Sequence, residues 1–452
     1  MLRDIDRFLD EWRTSPHRSP LVVRGARQVG KSYSIQAFGE RCFEHTAIVN
    51  FERHPAACQC FAVRDPQEIL RELELVVRKP IVPGKTLLFL DEIQECPEAL
   101  VALRYFKEEM PGLHVIAAGS LLEFVLNDNL SFPVGRVQFL TMRPLSLMEF
   151  LSVRGETMLR ERVEGCSLAD KTPPIMHQRL LEELRLYILV GGMPAAVEVF
   201  IETGSILQTQ QKHHDLLLTY RNDFGKYASA AQAAHLQRLL SVAPGFVGQH
   251  VRYSKIDPEA PNPAREYKIA IRLLSQAGLL SQVYTTNASG IPLSVGINEK
   301  KFKLVLLDIG LLQAAMGLSE PLLLENGLLA HRGALAEQLV GQELLAYADP
   351  RRASELFFWC QEKKGSAAEV DYVVQLGSSI IPIEVKAGTT GGMRSLRQFM
   401  EQKSSPFGVK VSEEPLAWDR QVLKLPAYLL SQLRRLSATI PSQKPPEDRP
   451  LA

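Results

Sequence analysis

The sequence predicts an α/β fold in which a parallel sheet is covered by helices on both faces. Three observations predict it. Short apolar runs alternate with helical stretches as far as Leu151. A glycine-rich loop, Gly25 to Ser32, separates the first run from the helix behind it. A later run ends in two adjacent carboxylates, Asp91 and Glu92. Strand alternating with helix requires crossover connections, and these bury both faces of a parallel sheet.

The elements follow in order. Ile5, Phe8, Leu9 and Trp12 fall at helical spacing and predict a leading helix. Leu21-Val22-Val23 reads as a buried strand, and residues 31–40 as a helix. Further short apolar runs lie at 47–51, 87–90 and 115–118, with a helical stretch at 97–110 between the last two. Residues 155–178 lack periodicity and contain Pro173-Pro174, so they read as a linker or surface loop. Residues 179–243 read as helical, broken by Gly191-Gly192-Met193-Pro194. A helix at 264–277 precedes two strand-like pieces, 279–285 and 291–297, with the turn at 287–290. Helix then hairpin is the outline of a winged helix. Beyond Leu304 come a helix at 333–347, strands at 356–360, 370–376 and 380–385, and a last helix at 428–436. The proline-rich tail reads as disordered.

The chain has 452 residues, which at about 150 per domain suggests roughly three units. The net charge of +1 gives no global field for a polyanion, so a nucleic-acid site would have to be a local basic face. The six cysteines are scattered, with no C-x-x-C pair, as expected of reduced thiols in a cytoplasmic compartment. No apolar run reaches the length of a membrane helix, so no membrane partner is expected.

Gly25-Ala-Arg-Gln-Val-Gly30-Lys31-Ser32 fits G-x-x-x-x-G-K-[ST] in full. Glycine lets the backbone approach a phosphate closely, and successive N–H groups then cradle its oxygens. The helix N-terminus adds favourable partial charge. The candidate nucleotide-binding residues are Gly25, Ala26, Arg27, Gln28, Val29, Gly30, Lys31, Ser32 and Tyr33. Lys31 offsets charge on the outer phosphates, and the Ser32 hydroxyl ligates magnesium. Leu87-Leu-Phe-Leu-Asp91-Glu92 supplies the complementary acids. Asp91 is the second candidate magnesium ligand, and Glu92 the candidate base for the attacking water. Ser120 ends the strand expected between these two, where a polar side chain can sense the γ-phosphate; a helix N-cap is its other reading. The expected ligands are therefore ATP and magnesium.

These stretches resemble a family of prokaryotic AAA+-like P-loop ATPases with an appended C-terminal domain of uncharacterised function. The resemblance rests on residues 20–32, Phe89 to Gln94, Gly119-Ser120, Gly135-Arg136-Val137 and Arg143-Pro144-Leu145-Ser146. It extends through Gly191 to Pro194, Tyr220-Arg-Asn-Asp223, Glu369-Val-Asp371 and Ile383-Glu-Val-Lys386. It implies ATP binding, a helical lid, a winged helix and a C-terminal restriction-endonuclease-like fold. The expected division is 1–151 for the ATPase domain, 152–243 for linker and lid, 244–303 for the winged-helix region, 304–436 for the C-terminal domain and 437–452 for the tail.

In the C-terminal unit Glu384 and Lys386 are two apart on one strand and so share a face, with Asp371 on the strand before. Two acids and a lysine so placed resemble the PD-(D/E)XK nuclease site, where the acids bind metal. Glu337 matches the extra acid often found on a helix of that fold. An alternating half-exposed strand, or a salt bridge retained without catalysis, would look the same. On the helix at 264–277, Tyr267, Ala270, Ile271 and Leu274 form an apolar stripe, while Arg265, Lys268 and Arg272 share another face that could meet DNA phosphates. The leading expectation is an ATPase that couples nucleotide state to a DNA- or protein-binding region. The alternatives are a nucleotide-dependent switch with negligible turnover and an ATP-regulated, metal-dependent nuclease. A homo-oligomer is compatible with each.

Overall fold

A computed structural model describes residues 3–126, 135–317, 332–361, 368–388 and 392–440. The first sheet contains β1 (Leu21–Arg24), β2 (His45–Asn50), β3 (Thr86–Asp91), β4 (His114–Ala118) and β5 (Gln138–Thr141). Its order is β2-β3-β4-β1-β5, and every neighbouring pair is parallel. Each residue of β3 and β4 is buried, which is why both read as unbroken apolar runs. Because the strands are parallel, the ends of β1, β3 and β4 lie along one edge, where α/β sheets place their ligands. β4 lies between β1 and β3, pairing Ala117 with Val22 and Val115 with Leu88.

The stretch 155–178 is not a loop throughout. It holds a helix, Thr157–Glu164, and the start of another, Pro174–Val190. Pro174 occupies the first turn of that helix, where the missing N–H costs nothing, so a residue pair that suggested a break marks a beginning. Helices Pro194–Thr203, Ile206–Asp223 and Ala230–Val242 continue the bundle. Among the described residues no single helix is long and apolar enough to cross a membrane.

Helix Pro263–Gln276 buries Tyr267, Ala270, Ile271 and Leu274, the stripe read from the sequence. The hairpin after it comprises β6 (Leu280–Thr286) and β7 (Ile297–Leu306). Its second strand begins where the expected one ends. The Asn287 N–H donates to the Gly296 carbonyl at 2.9 Å, and Thr286 Oγ1 donates to the Leu293 carbonyl at 2.9 Å. These bonds hold the intervening residues in a compact loop instead of a strand. The hairpin does not stand alone. With β8 (Leu356–Cys360), β9 (Glu369–Leu376), β10 (Ser379–Val385), β11 (Gly408–Ser412), β12 (Ala417–Asp419) and β13 (Val422–Pro426) it forms one sheet, ordered β12-β13-β11-β10-β9-β8-β6-β7. The boundary expected at 303/304 therefore falls inside β7. Near the other boundary, helix Leu433–Ala438 runs past 436, and residues 441–452 of the expected tail lie outside the described residues.

Helix Arg332–Ala346 ties the units together through Glu343, which is buried. One Glu343 oxygen accepts the Leu147 N–H at 3.1 Å. The other lies 2.8 Å from the Tyr187 phenol, which is also 2.7 Å from the Leu145 carbonyl and accepts from Gln342 Nε2 at 2.8 Å. One phenol hydrogen cannot serve two oxygens. A neutral Glu343 that donates to the phenol satisfies all four groups, and burial pushes its pKa up to about 7. A folded pKa above the unfolded value means stability rises as pH falls from about 7 towards the ordinary carboxylate range, and is lost again as pH rises through 7. Glu343→Gln copies the neutral form. It should be more stable than the wild type above pH 7, by up to about 3 kcal/mol, with the difference shrinking on acidification. Thermal melts from pH 5 to 8 check this, and a difference that stays constant across the range refutes it.

Candidate functional site

The loop after β1 turns through Gly25 and Gly30, both at positive φ. A side chain at Gly25 would run into the Met142 carbonyl, so only glycine lets the loop pass this close to the end of β5. Ala26 and Val29 are buried, Gln28 and Tyr33 are exposed, and helix Lys31–Cys42 begins directly at the lysine. Lys31 is only 7% exposed, and its ammonium donates to the Gly25 and Ala26 carbonyls at 2.9 and 2.8 Å. Burial lowers its pKa to about 8. The loop is clamped from the N-terminus. Arg3 donates to the Val29 carbonyl at 3.0 Å and the Arg143 carbonyl at 2.7 Å, and pairs with buried Glu149 at 2.8 Å.

Ser32 and the end of β3 meet. The Ser32 hydroxyl donates to Asp91 Oδ1 at 2.9 Å. Asn50, at the end of β2 and opposite Asp91 in register, donates to Asp91 Oδ2 at 3.0 Å. Burial raises the Asp91 pKa. None of these partners is a cation, so the donor set suits a magnesium ion held by Ser32 and Asp91. Glu92 stands at positive φ just past the strand and accepts from Gln94 Nε2 at 2.7 Å. Gln94 in turn lies against Gly119, where a side chain would collide with its carboxamide oxygen. Asn50 and Gln94 do not stand out in the sequence, although a polar residue closing the apolar run before Phe51 is a signal available for Asn50.

Ser120 is buried at the end of β4, and its hydroxyl accepts from Arg27 Nε at 3.1 Å. Arg27 also pairs with Asp223 at 2.6 Å, and Tyr220 donates to the Arg27 carbonyl at 2.8 Å. The end of helix Ile206–Asp223 is thereby fastened to the phosphate-binding loop. Gly278, just past helix Pro263–Gln276, lies close enough to Ala26 that a side chain there would press against it. A cavity of about 470 Å³ beside the loop is lined by Gly25, Ala26, Ser120, Arg143 and Arg272, among others. Of the two arginines in the motif-bearing stretch, Arg136 pairs with Glu108 at 2.8 Å on the surface, and burial lowers the pKa of Arg143 to about 10.

The C-terminal acids converge around a lysine that the sequence alone does not single out. β9 and β10 are antiparallel with Ile383 opposite Tyr372, which sets Glu384 against Asp371 on one face. Asp371 Oδ2 accepts the Val385 N–H at 2.7 Å, and Lys386 pairs with Glu384 at 2.6 Å. Lys303, from β7, reaches Glu369 at 2.6 Å, Glu337 at 3.2 Å and Asp371 at 3.8 Å. His250 meets the other Glu369 oxygen at 2.7 Å. Burial raises the pKa values of Glu337, Asp371 and Glu384. Among the described residues, no group of three or more acidic, His or Cys side chains is arranged to hold a metal ion. The basic row Arg265, Lys268 and Arg272 is exposed along helix Pro263–Gln276, with Arg272 also facing the cavity by the phosphate loop.

Residues 17–151 match the AAA domain family. Residues 181–322 and 332–428 match two domains of unknown function (DUF8612 and DUF4143). The first of these runs across the hairpin and past the end of β7. No curated protein matches the chain. Among solved structures, the chain is similar to the Walker-type ATPase PABY2304 of Pyrococcus abyssi, at 16% identity and a TM-score of 0.45, over 70% of this chain and 96% of that one. It is also similar to the Aeropyrum pernix ORC1 protein, solved in complex with DNA, at 13% identity and a TM-score of 0.31, over 70% and 93%. A third is Cdc6p from Pyrobaculum aerophilum, at 12% identity and a TM-score of 0.23, over 69% and 91%. The all-parallel sheet, the full glycine-rich loop and the acidic strand end all lie within residues 17–151, the stretch that matches the AAA domain family.

Proposed function

We propose that the chain is a magnesium-dependent ATPase that passes its nucleotide state to the helical unit and the C-terminal region. The observation that carries this is the Ser32–Asp91 hydrogen bond at 2.9 Å, with Glu92 following on the same strand end. Gly25 to Ser32 bind the phosphates of ATP, and Lys31 offsets their charge. Magnesium, held by Ser32 and Asp91, would neutralise charge developing on the phosphoryl oxygens. Glu92 orients the attacking water and accepts its proton. Ser120 and Arg27 stand at the γ-phosphate end, and the Arg27–Asp223 pair carries the change to the helical lid, because a phosphate competes with Asp223 for the same guanidinium. Phosphate release from ATP by the full chain, with magnesium or with EDTA, tests the reading. Magnesium-dependent release supports it. Tight ATP binding without release refutes it in favour of a switch.

Helices Ala230–Val242 and Pro263–Gln276 with the β6–β7 hairpin, bridged at Val247 and Leu304, support a winged helix. Asp371 opposite Glu384 with Lys386 on the same face supports a restriction-endonuclease-like fold for the C-terminal unit. A DNA partner is favoured by the exposure of Arg265, Lys268 and Arg272 in one row. Changing all three to alanine is expected to weaken duplex binding. It should also flatten the log–log salt dependence by about 0.9 for each phosphate that a side chain no longer neutralises. Identical slopes for variant and wild type would remove DNA as the partner of this face.

A further inference from the structure

The resemblance to a nuclease site calls for a divalent cation among Glu337, Asp371 and Glu384, and the residues present do not fit one. Lys303 is buried in the middle of the acids, 2.6 to 3.8 Å from oxygens of Glu369, Glu337 and Asp371. One Asp371 oxygen is taken by the Val385 N–H, and the other faces the Lys303 ammonium. One Glu384 oxygen is taken by Lys386, and both Glu369 oxygens are taken, by Lys303 and His250. Among the described residues, Glu384 Oε2 is a buried carboxylate oxygen without a partner, and of Glu337 only Oε2 is held, by Lys303. Magnesium demands six oxygens in near-ideal octahedral geometry, and the Lys303 and Lys386 ammonium groups standing among these acids occupy the place and the charge such an ion would need. The lysine is also not a surface residue folding back. It stands on a strand of the sheet, opposite Val283 in register, with its ammonium 5.2 Å from the centre of the Phe358 ring.

We infer that the C-terminal carboxylate centre is built around the Lys303 ammonium in place of a divalent ion. The unit therefore works without magnesium or manganese, and its acids serve as a joint. Lys303 belongs to the hairpin, Glu369 and Asp371 to β9, and Glu337 to helix Arg332–Ala346. One charge thus pins three elements that are far apart in the chain. A buried ammonium fully surrounded by acids is stable only while they remain, and the acids are stable together only while it remains. Removing the lysine should leave a group of carboxylates open to a cation. The inference is independent of ATP hydrolysis.

The test is manganese binding to the full chain without nucleotide, followed by the loss of the free-ion electron paramagnetic resonance signal. Wild type and Asp371→Asn should bind equally. Lys303→Ala should gain one further equivalent of manganese per chain, and adding Asp371→Asn to it should abolish that gain. Wild-type manganese binding that disappears in Asp371→Asn overturns the inference. So does a folded Lys303→Ala chain, checked by circular dichroism, that gains no equivalent. If Lys303→Ala does not fold, the comparison of wild type with Asp371→Asn decides alone, because an acid site holding a metal must lose it with Asp371.

Discussion

Glu92→Gln is expected to abolish ATP turnover while leaving ATP binding intact. The carboxylate stands just past a fully buried strand, with its backbone at positive φ and its N–H donated to Asp91 at 3.2 Å. Its position is thus set by the strand and by Asp91. The side-chain bond to Gln94 at 2.7 Å survives the change, since glutamine still offers a carbonyl oxygen to the Gln94 amide. What disappears is an oxygen that can take the proton of an attacking water. General bases of this kind contribute about 10²- to 10⁴-fold, so single-turnover phosphate release should fall by that factor. Calorimetry with Mg-ATP should return the wild-type affinity. Turnover at the wild-type rate would show that another group is the base. Loss of binding along with turnover would show that Glu92 holds the loop's shape instead.

The parts of this site legible in the sequence are those in which local backbone chemistry demands particular residues. Gly25 and Gly30 are required by positive φ and by the close passage of Met142, so the loop declares itself in eight residues. β3 is readable because burial on both faces forces an unbroken apolar run, and the acids at its end break that run. β5 is not readable. Gln138-Phe-Leu-Thr is too short and too mixed to stand out, and its place is set by pairing with β1. The strands β11 to β13, of three to five residues each, are likewise too short to stand out, and their places are set by pairing with one another and with β10.

Lys303 shows a different limit. Nothing within its own strand distinguishes it from a half-exposed lysine in an alternating run. Its partners, Glu337, Glu369 and Asp371, lie on a later helix and a later strand, and only the joining of the hairpin to the C-terminal sheet brings them together. A boundary drawn after 303 separates the cation from its acids. Asp223 is hidden as a functional residue in the same way. It matches a motif, but its role beside Arg27 depends on how the helix Ile206–Asp223 docks.

Lys31→Ala is expected to lower ATP affinity by about a hundredfold or more, roughly 3 kcal/mol. The ammonium is turned into the loop, where it donates to the Gly25 and Ala26 carbonyls. Those bonds are to neutral oxygens, and burial lowers the pKa to about 8 against the attraction of Glu92 and Asp91, so the charge calls for further compensation. Phosphate oxygens supply that compensation in charge-assisted bonds, which are about twice as strong as neutral ones. This gives the effect a pH signature. Binding favours the protonated lysine, so its pKa rises in the complex. Affinity should be flat below pH 8 and fall as pH rises above it, because a proton must then be taken up with the nucleotide. The alanine variant should bind weakly at every pH and lack this fall. Calorimetry with Mg-ATP at pH 7 and 9, on both proteins, measures the two effects together. Near-wild-type affinity in Lys31→Ala would remove the loop as the phosphate site. A pH dependence shared equally by both proteins would assign it to a group other than Lys31.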